Sequence, residues 1–257
     1  EAGVDQFGGN NEVAPLMDAY KMACEKYGKK ETEARFRRSA YRLLLNIFRT
    51  GLFENPYLDL EESEKTVGCQ AFVEAGYESP LKSVTLLKNK GNVLPMKRGL
   101  KVYVPERHIR SYLDFMSMPT GEQDIVPPGK NAAEEYFTVV ENPEDADAAL
   151  CFMESPISVG YDPEDRKAGG NGYVPITLQY CPYKAVDGRA ESIAGGDFLE
   201  TFRNRSYKDK WNTAANEADL DNVINMRKIM GDKPVIAIVS LKNPMVMAEF
   251  EPYADAV

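Results

Sequence analysis

Three carboxylates crowd into one short run, Asp162, Glu164 and Asp165, and Arg166 follows directly. Acids this dense can hold a cation, trade protons or accept hydrogen bonds from hydroxyls. Their spacing is not that of a calcium loop. Just beyond them the chain reads Ala168-Gly169-Gly170-Asn171-Gly172-Tyr173. That run lacks the G-x-G-x-x-G and G-x-x-x-x-G-K spacings that cradle phosphates, so it reads as a surface loop or a lid. Both features lie in a polar, glycine-rich stretch, 155–216, with aromatics scattered through it. Loops of that length are usually functional or carry small elements of their own.

The other reactive side chains are dispersed. Cys24, Cys69, Cys151 and Cys181 form no C-x-x-C pair, and His108 is the single histidine. A zinc site is therefore unsupported, and no Ser/His/Asp arrangement can be argued around His108. Cysteines used this way are most often reduced and half-buried. They favour a cytoplasmic compartment, with a periplasmic or secreted one as the alternative. Asn204-Arg205-Ser206 matches a glycosylation sequon, a pattern that is common by chance. Net charge is -9, from 40 acids against 31 bases. That balance argues against a nucleic-acid or anionic-membrane partner. No apolar run approaches the ~18 residues that span a bilayer.

At 257 residues and 43% hydrophobic content there is room for one large domain or two small ones. Residues 3–9 read as the end of a buried strand. Val13, Leu16, Met17, Tyr20, Ala23 and Tyr27 recur at helical spacing, with Gly28 as a stop. Thr32 can cap a second helix whose apolar face runs Phe36, Ala40, Leu43, Leu44, Ile47 and Phe48, ending at Gly51. Arg35, Arg37, Arg38 and Arg42 lie around its solvent side or at an interdomain contact. The acidic stretch 59–64 marks a boundary, and a helix is expected over much of 64–77. Strands are then expected at 83–87, 101–104, 137–140, 148–152 and 235–240, with a last one opening at 254. Helices are expected at 108–116 and 217–230, the latter with Leu220, Val223, Ile224 and Ile229 on one face. Asn243 is placed to cap a short helix with Pro244 at its first position. Strands alternating with helices predict a doubly wound α/β layer.

In this order the phrases resemble glycoside hydrolase family 3, whose members join a (β/α)8 barrel to an α/β sandwich. Glu1–Gly9 is similar to the family's last barrel strand, with its AG-x-D element at Ala2-Gly3-Val4-Asp5. The arginine-bearing helix with Gly51-Leu52-Phe53-Glu54 resembles the segment leaving the barrel. Ser83-Val84-Thr85-Leu86-Leu87-Lys88-Asn89 with Leu94-Pro95 resembles the first strand of the sandwich, and Pro234–Ser240 with Asn243-Pro244 a later one. The resemblance implies an α/β/α sandwich with a mostly parallel sheet, preceded by the last βα segment of a barrel. Residues 1–60 would be the barrel end and its exit helices, and 61–257 the sandwich, with the chain truncated at both ends.

It also implies a retaining, exo-acting β-glycosidase that needs no cofactor or metal. Its substrate would be a small glycoside or an oligosaccharide, and it would have no nucleic-acid or membrane partner. A homodimer is the assembly weighed. The nucleophilic aspartate of the family sits in a Ser-Asp-Trp-like phrase. The single tryptophan here, Trp211, follows Lys210, so the phrase is missing and the chain alone is expected to be inactive. The family's acid/base glutamate, on the loop after the strand at 148–152, has no clean match. Glu164, beside Asp165-Arg166, and Glu154, at the strand end, are the two candidates. Asp5, Asp165 and Arg166 are the candidate sugar contacts, Asp5 having a loop cap as its equal alternative. Tyr161, Tyr173, Tyr180, Tyr183 and Trp211 could stack on sugar faces or simply pack. A non-catalytic carbohydrate-binding or dimerisation module is the rival reading.

Overall fold

The computed structural model describes residues 3–9, 11–114, 116–127, 129–192 and 204–257. Ala2, Phe115 and residues 193–203, which fall inside expectations made above, lie outside the described residues. The chain divides into two compact units, Glu1–Val84 and Thr85–Val257.

The first unit is helical. Helix α1 runs Val13–Tyr27 and α2 runs Lys29–Arg49, meeting at Gly28, whose φ of 86° suits glycine. Thr32 is not the cap expected of it. It lies inside α2, its hydroxyl donating to the Gly28 carbonyl at 3.0 Å. Glycine ends α1 and lets the next helix begin at once, so no separate capping residue is needed. Two helices, α3 (Leu60–Thr66) and α4 (Gln70–Ser83), stand where one was expected. Asp59 caps α3 by accepting from the Glu62 amide at 3.0 Å. Residues 3–9 form no strand. An extended segment needs a strand to pair with, and none of the described residues bridges to it.

The second unit is built on a parallel sheet. Its strands are β1 (Lys101–Tyr103), β4 (Thr138–Val139), β5 (Ala148–Glu154) and β8 (Val235–Ser240), in the order β4-β1-β5-β8. Ala256 extends it, bridging Ile236 in parallel and Asn89 in antiparallel sense. The start of this unit is therefore paired with its last residues, with the Leu87 amide donating to the Val257 carbonyl at 2.8 Å. The strand expected at 83–87 is displaced: Ser83 closes α4, and the pairing lies at 87–90.

Ala148, Ala149, Leu150, Cys151 and Met153 of β5 are all buried, as a strand covered on both faces requires. One face packs on helix α7 (Ala218–Met230) through Leu220, Val223, Met226 and Met230. The other carries Val102, Val104, Ile236 and Ala133, the last from helix α5 (Gly129–Glu134). Ile229, expected on the apolar face of α7, is 45% exposed, because Met226 and Met230 take that stripe.

Two local expectations fail. Among the described residues of 108–116 there is no helix. Arg107–Ile109 is strand β2, paired antiparallel with β3 (Gln123–Ile125), so His108 faces Asp124 across the hairpin. Pro244 starts no helix either: the amides of Lys242 and Asn243 are taken by the Ser155 hydroxyl at 2.7 and 3.1 Å.

Candidate functional site

In a doubly wound sheet the order of the strands reverses at one point, and ligands gather at the carboxyl ends there. Here that point lies between β1 and β5, because the chain goes from β1 outward to β4 and then returns to β5 on the other side. The chain leaves β5 at Glu154 and enters the long polar stretch. Three small elements order it: helix α6 (Pro163–Lys167) and the two-residue strands β6 (Tyr183–Lys184) and β7 (Trp211–Asn212), which pair antiparallel. Beside them lies a cavity of about 360 Å³, lined among others by Tyr112, Tyr161, Asp162, Pro163, Trp211 and Asn212.

The two glutamates differ sharply. Glu164 sits in the first turn of α6, its amide held by the Asp162 carboxylate at 2.9 Å. Its side chain is 74% exposed and pairs with Lys167 at 2.6 Å. Glu154 is 16% exposed and held between two cations, Lys242 and, at 3.8 Å, Arg107. Its backbone is equally engaged. The carbonyl accepts from the Tyr180 hydroxyl at 2.5 Å and from Asn216 Nδ2 at 3.0 Å.

The candidate sugar contacts are largely committed inside the protein. Asp5 accepts from Ser39 at 2.8 Å, Arg35 at 2.9 Å and Arg42 at 3.1 Å, and these donors, the Ser39 hydroxyl foremost, hold its carboxyl below the usual range. It fastens 3–9 to α2. Asp165 is depressed likewise, chiefly by Lys210, whose ammonium lies 2.6 Å away. Arg166 is exposed and reaches the Tyr161 hydroxyl at 3.5 Å.

Of the aromatics, Tyr180 is fully buried and packs on Phe250. Tyr161 and Tyr173 stack edge to face, with centroids 5.8 Å apart. Trp211 is 59% exposed on the rim of the cavity, with Lys184 Nζ over its ring at 5.9 Å. The glycine-rich run is folded down rather than loose: Gly170 and Gly172 both donate to Asp165, each at 2.8 Å.

Thiol chemistry has no support. The four cysteines are free, and burial pushes Cys151 up to about 12. A hydrogen bond to Glu249, with burial second, raises Cys181 to about 11. The Asn204 side chain accepts from the Ser192 and Ser206 amides and donates through Nδ2, the atom a glycan would modify, to the Ala190 carbonyl at 2.7 Å.

Sequence reasoning missed the buried group behind this site. Arg107 makes a bidentate pair with Asp219, both bonds at 2.8 Å, and Asn216 donates to the same carboxylate at 2.8 Å. These residues come from β2, from α7 and from the turn before α7. No periodicity could have joined them. Lys210 was missed for the same reason.

No family model matches the chain. It is 34% identical over 156 residues to "Periplasmic beta-glucosidase/beta-xylosidase" of Dickeya chrysanthemi, covering 60% of this chain and 20% of that protein. It is 31% identical over 159 residues to "Probable beta-glucosidase C" of Aspergillus flavus, covering 61% and 21%. A beta-glucosidase from Listeria innocua, solved in complex with gluconolactone, matches 99% of this chain and 31% of its own at a TM-score of 0.51 and 17% identity, a likeness of fold. The resemblance to glycoside hydrolase family 3 read from the motifs is borne out by these relatives, and so is the α/β fold class. The chain spans about a fifth of the length of the curated relatives it matches.

Proposed function

We propose that the protein is a retaining, exo-acting β-glycosidase acting on terminal β-glucosides or related sugars, to which this chain contributes the loop bearing the acid/base carboxyl. The similarity to proteins named β-glucosidase and β-xylosidase over about three fifths of the chain carries the reading. In such enzymes two carboxyl groups flank the scissile bond at about 5–5.5 Å. One attacks the anomeric carbon. The other protonates the departing oxygen as its bond to that carbon breaks, then takes a proton from the water that attacks next.

We assign the second role to Glu164. An acid must reach a glycosidic oxygen outside the protein, and Glu164 is the exposed candidate, on a capped helix at the cavity rim. Glu154 is the weaker candidate, because Lys242 and Arg107 already occupy its oxygens. A sugar ring would lie against the exposed Trp211. The nucleophile is not assigned to this chain, which has no Ser-Asp-Trp-like phrase, and the chain by itself would not turn over. The free thiols favour a reducing compartment, although the Dickeya relative carries a periplasmic name.

The test is a panel of nitrophenyl β-glycosides offered to the full-length protein and to Glu164→Gln. Loss of an acid/base should cost about 10²–10⁴-fold, with partial recovery when azide replaces water as the acceptor. Undiminished turnover by Glu164→Gln would move the role to Glu154 or off this chain. Sugar binding with no turnover by the parent protein would favour the binding-module reading.

A further inference from the structure

Resting on that reading, we infer that Lys210 is a positioning residue for Glu164, acting through the carboxylate of Asp165. Asp165 is the centre of a closed set of bonds. Its Oδ2 accepts from Lys210 Nζ at 2.6 Å and from the Gly172 amide at 2.8 Å, while its backbone carbonyl takes the Gly170 amide at 2.8 Å. Lys210 Nζ also donates to Asn171 Oδ1 at 2.6 Å. Asn171 Nδ2 in turn holds the carbonyls of Asn204 and Ser206, each at 2.7 Å.

The glycines make this winding possible. A Cβ on Gly170 would stand 2.2 Å from Asp165 Oδ2. One on Gly172 would stand 2.4 Å from the Tyr161 ring, on a backbone with φ of 84°. The run between Ala168 and Tyr173 is thus a collar around one carboxylate and not a lid.

The consequence for chemistry follows from chain neighbours. Asp165 follows Glu164 in the single-turn helix α6, and Lys210 precedes Trp211 on β7. Asp162 and Pro163 share the cavity wall with Trp211. One ion pair, both side chains 23% exposed, therefore fixes the helix of the acid against the strand of the aromatic face. A helix of five residues has little stability of its own, so its position is set by such ties. A misplacement of 1 Å can cost a proton transfer a large factor.

The experiment compares kcat/KM of the full-length protein on two aryl β-glucosides, with dinitrophenol and with methoxyphenol as leaving groups. Dinitrophenolate departs without a proton, and methoxyphenol needs one. Lys210→Met should lose about tenfold or more on the methoxyphenyl substrate and under about threefold on the dinitrophenyl one, with Lys210→Arg recovering most of the loss. Asp165→Asn, nearly isosteric, should show the same split and serves if Lys210→Met folds poorly. Equal losses on both substrates, or none on either, would overturn the role of Lys210. Glu164→Gln in the same series separates the premises. If it shows the split and Lys210→Met does not, only the positioning role falls. If Glu164→Gln shows no split, the acid assignment falls with it.

Discussion

A carboxylate is available for chemistry only when its oxygens are not already spent. By that measure the acids of this chain sort cleanly: Asp5, Asp165, Asp219 and Glu154 bind cations or amides of the protein itself, whereas Glu164 faces outward with a single lysine. His108 is spent in the same sense. Its Nδ1 lies 2.8 Å from Asp124 and its Nε2 3.0 Å from Glu122, and the Asp124 bond above all raises its pKa above the ordinary value of about 6.5. A raised folded pKa stabilises fully below the unfolded value, and that contribution disappears as pH rises through the folded one. The β2–β3 hairpin should therefore loosen as pH climbs past that point, read as a fall in the protection of amides in 107–125 relative to their intrinsic exchange rate at each pH. Asp124→Asn should bring the His108 titration, followed by NMR, back toward the ordinary value. An unmoved titration would mean that the pair contributes nothing. Sequence showed the carboxylates and the histidine but not their pairing, because His108 and Asp124 meet only through the hairpin register.

At the scale of elements, the strands of the sheet announce themselves and the ties between them do not. β5 and the first half of β8 are continuous apolar runs and are buried as such, although Ile238, 37% exposed, shows the burial fading toward the carboxyl edge. Strand β2 is the opposite case. Its polar sequence suggests a helix start, yet Arg107 is drawn into the core by Asp219 of α7, and the Glu154 amide at the end of β5 reaches the same carboxylate at 3.2 Å. One buried acid thus joins β2, β5 and α7 at the edge where the long loop departs. Asp219→Ala would leave the guanidinium with Glu154, at 3.8 Å, as its remaining counter-ion and should cost about 3–5 kcal/mol in urea unfolding, while replacing both Arg107 and Asp219 with apolar residues should cost less. A single-variant loss below about 1 kcal/mol would show that the pair does not hold this edge together.

For the whole molecule, burial is uneven. Among the described residues of the first unit only Thr32 is buried, while Leu44, Phe48, Phe53, Phe72 and Tyr77 are exposed. The second unit carries two apolar clusters, one on each face of its sheet. Local stability follows buried contacts. Amides in 13–83 should thus exchange well before those of β5 and β8 when the 257-residue chain is followed by hydrogen exchange and mass spectrometry. Equal protection in both units would contradict this. Unevenness of this kind has no sequence signature, since both units offer apolar residues at proper helical or strand spacing.

What the sequence determined alone is what depends on neighbours along the chain: α1 and its glycine stop, the apolar runs of β5 and β8, α7 ending at Gly231, and the ordered phrases of the family resemblance. Local propensity and burial period act over a few residues, so they can be read there. Only the tertiary structure decided which carboxylate stays free, that the glycine run closes around Asp165, and that Arg107 and Lys210 are structural cations. The two ion pairs join residues 45 and 112 positions apart. Electrostatic pairing reaches only a few ångströms, and a linear sequence does not record which distant residues are brought within that range.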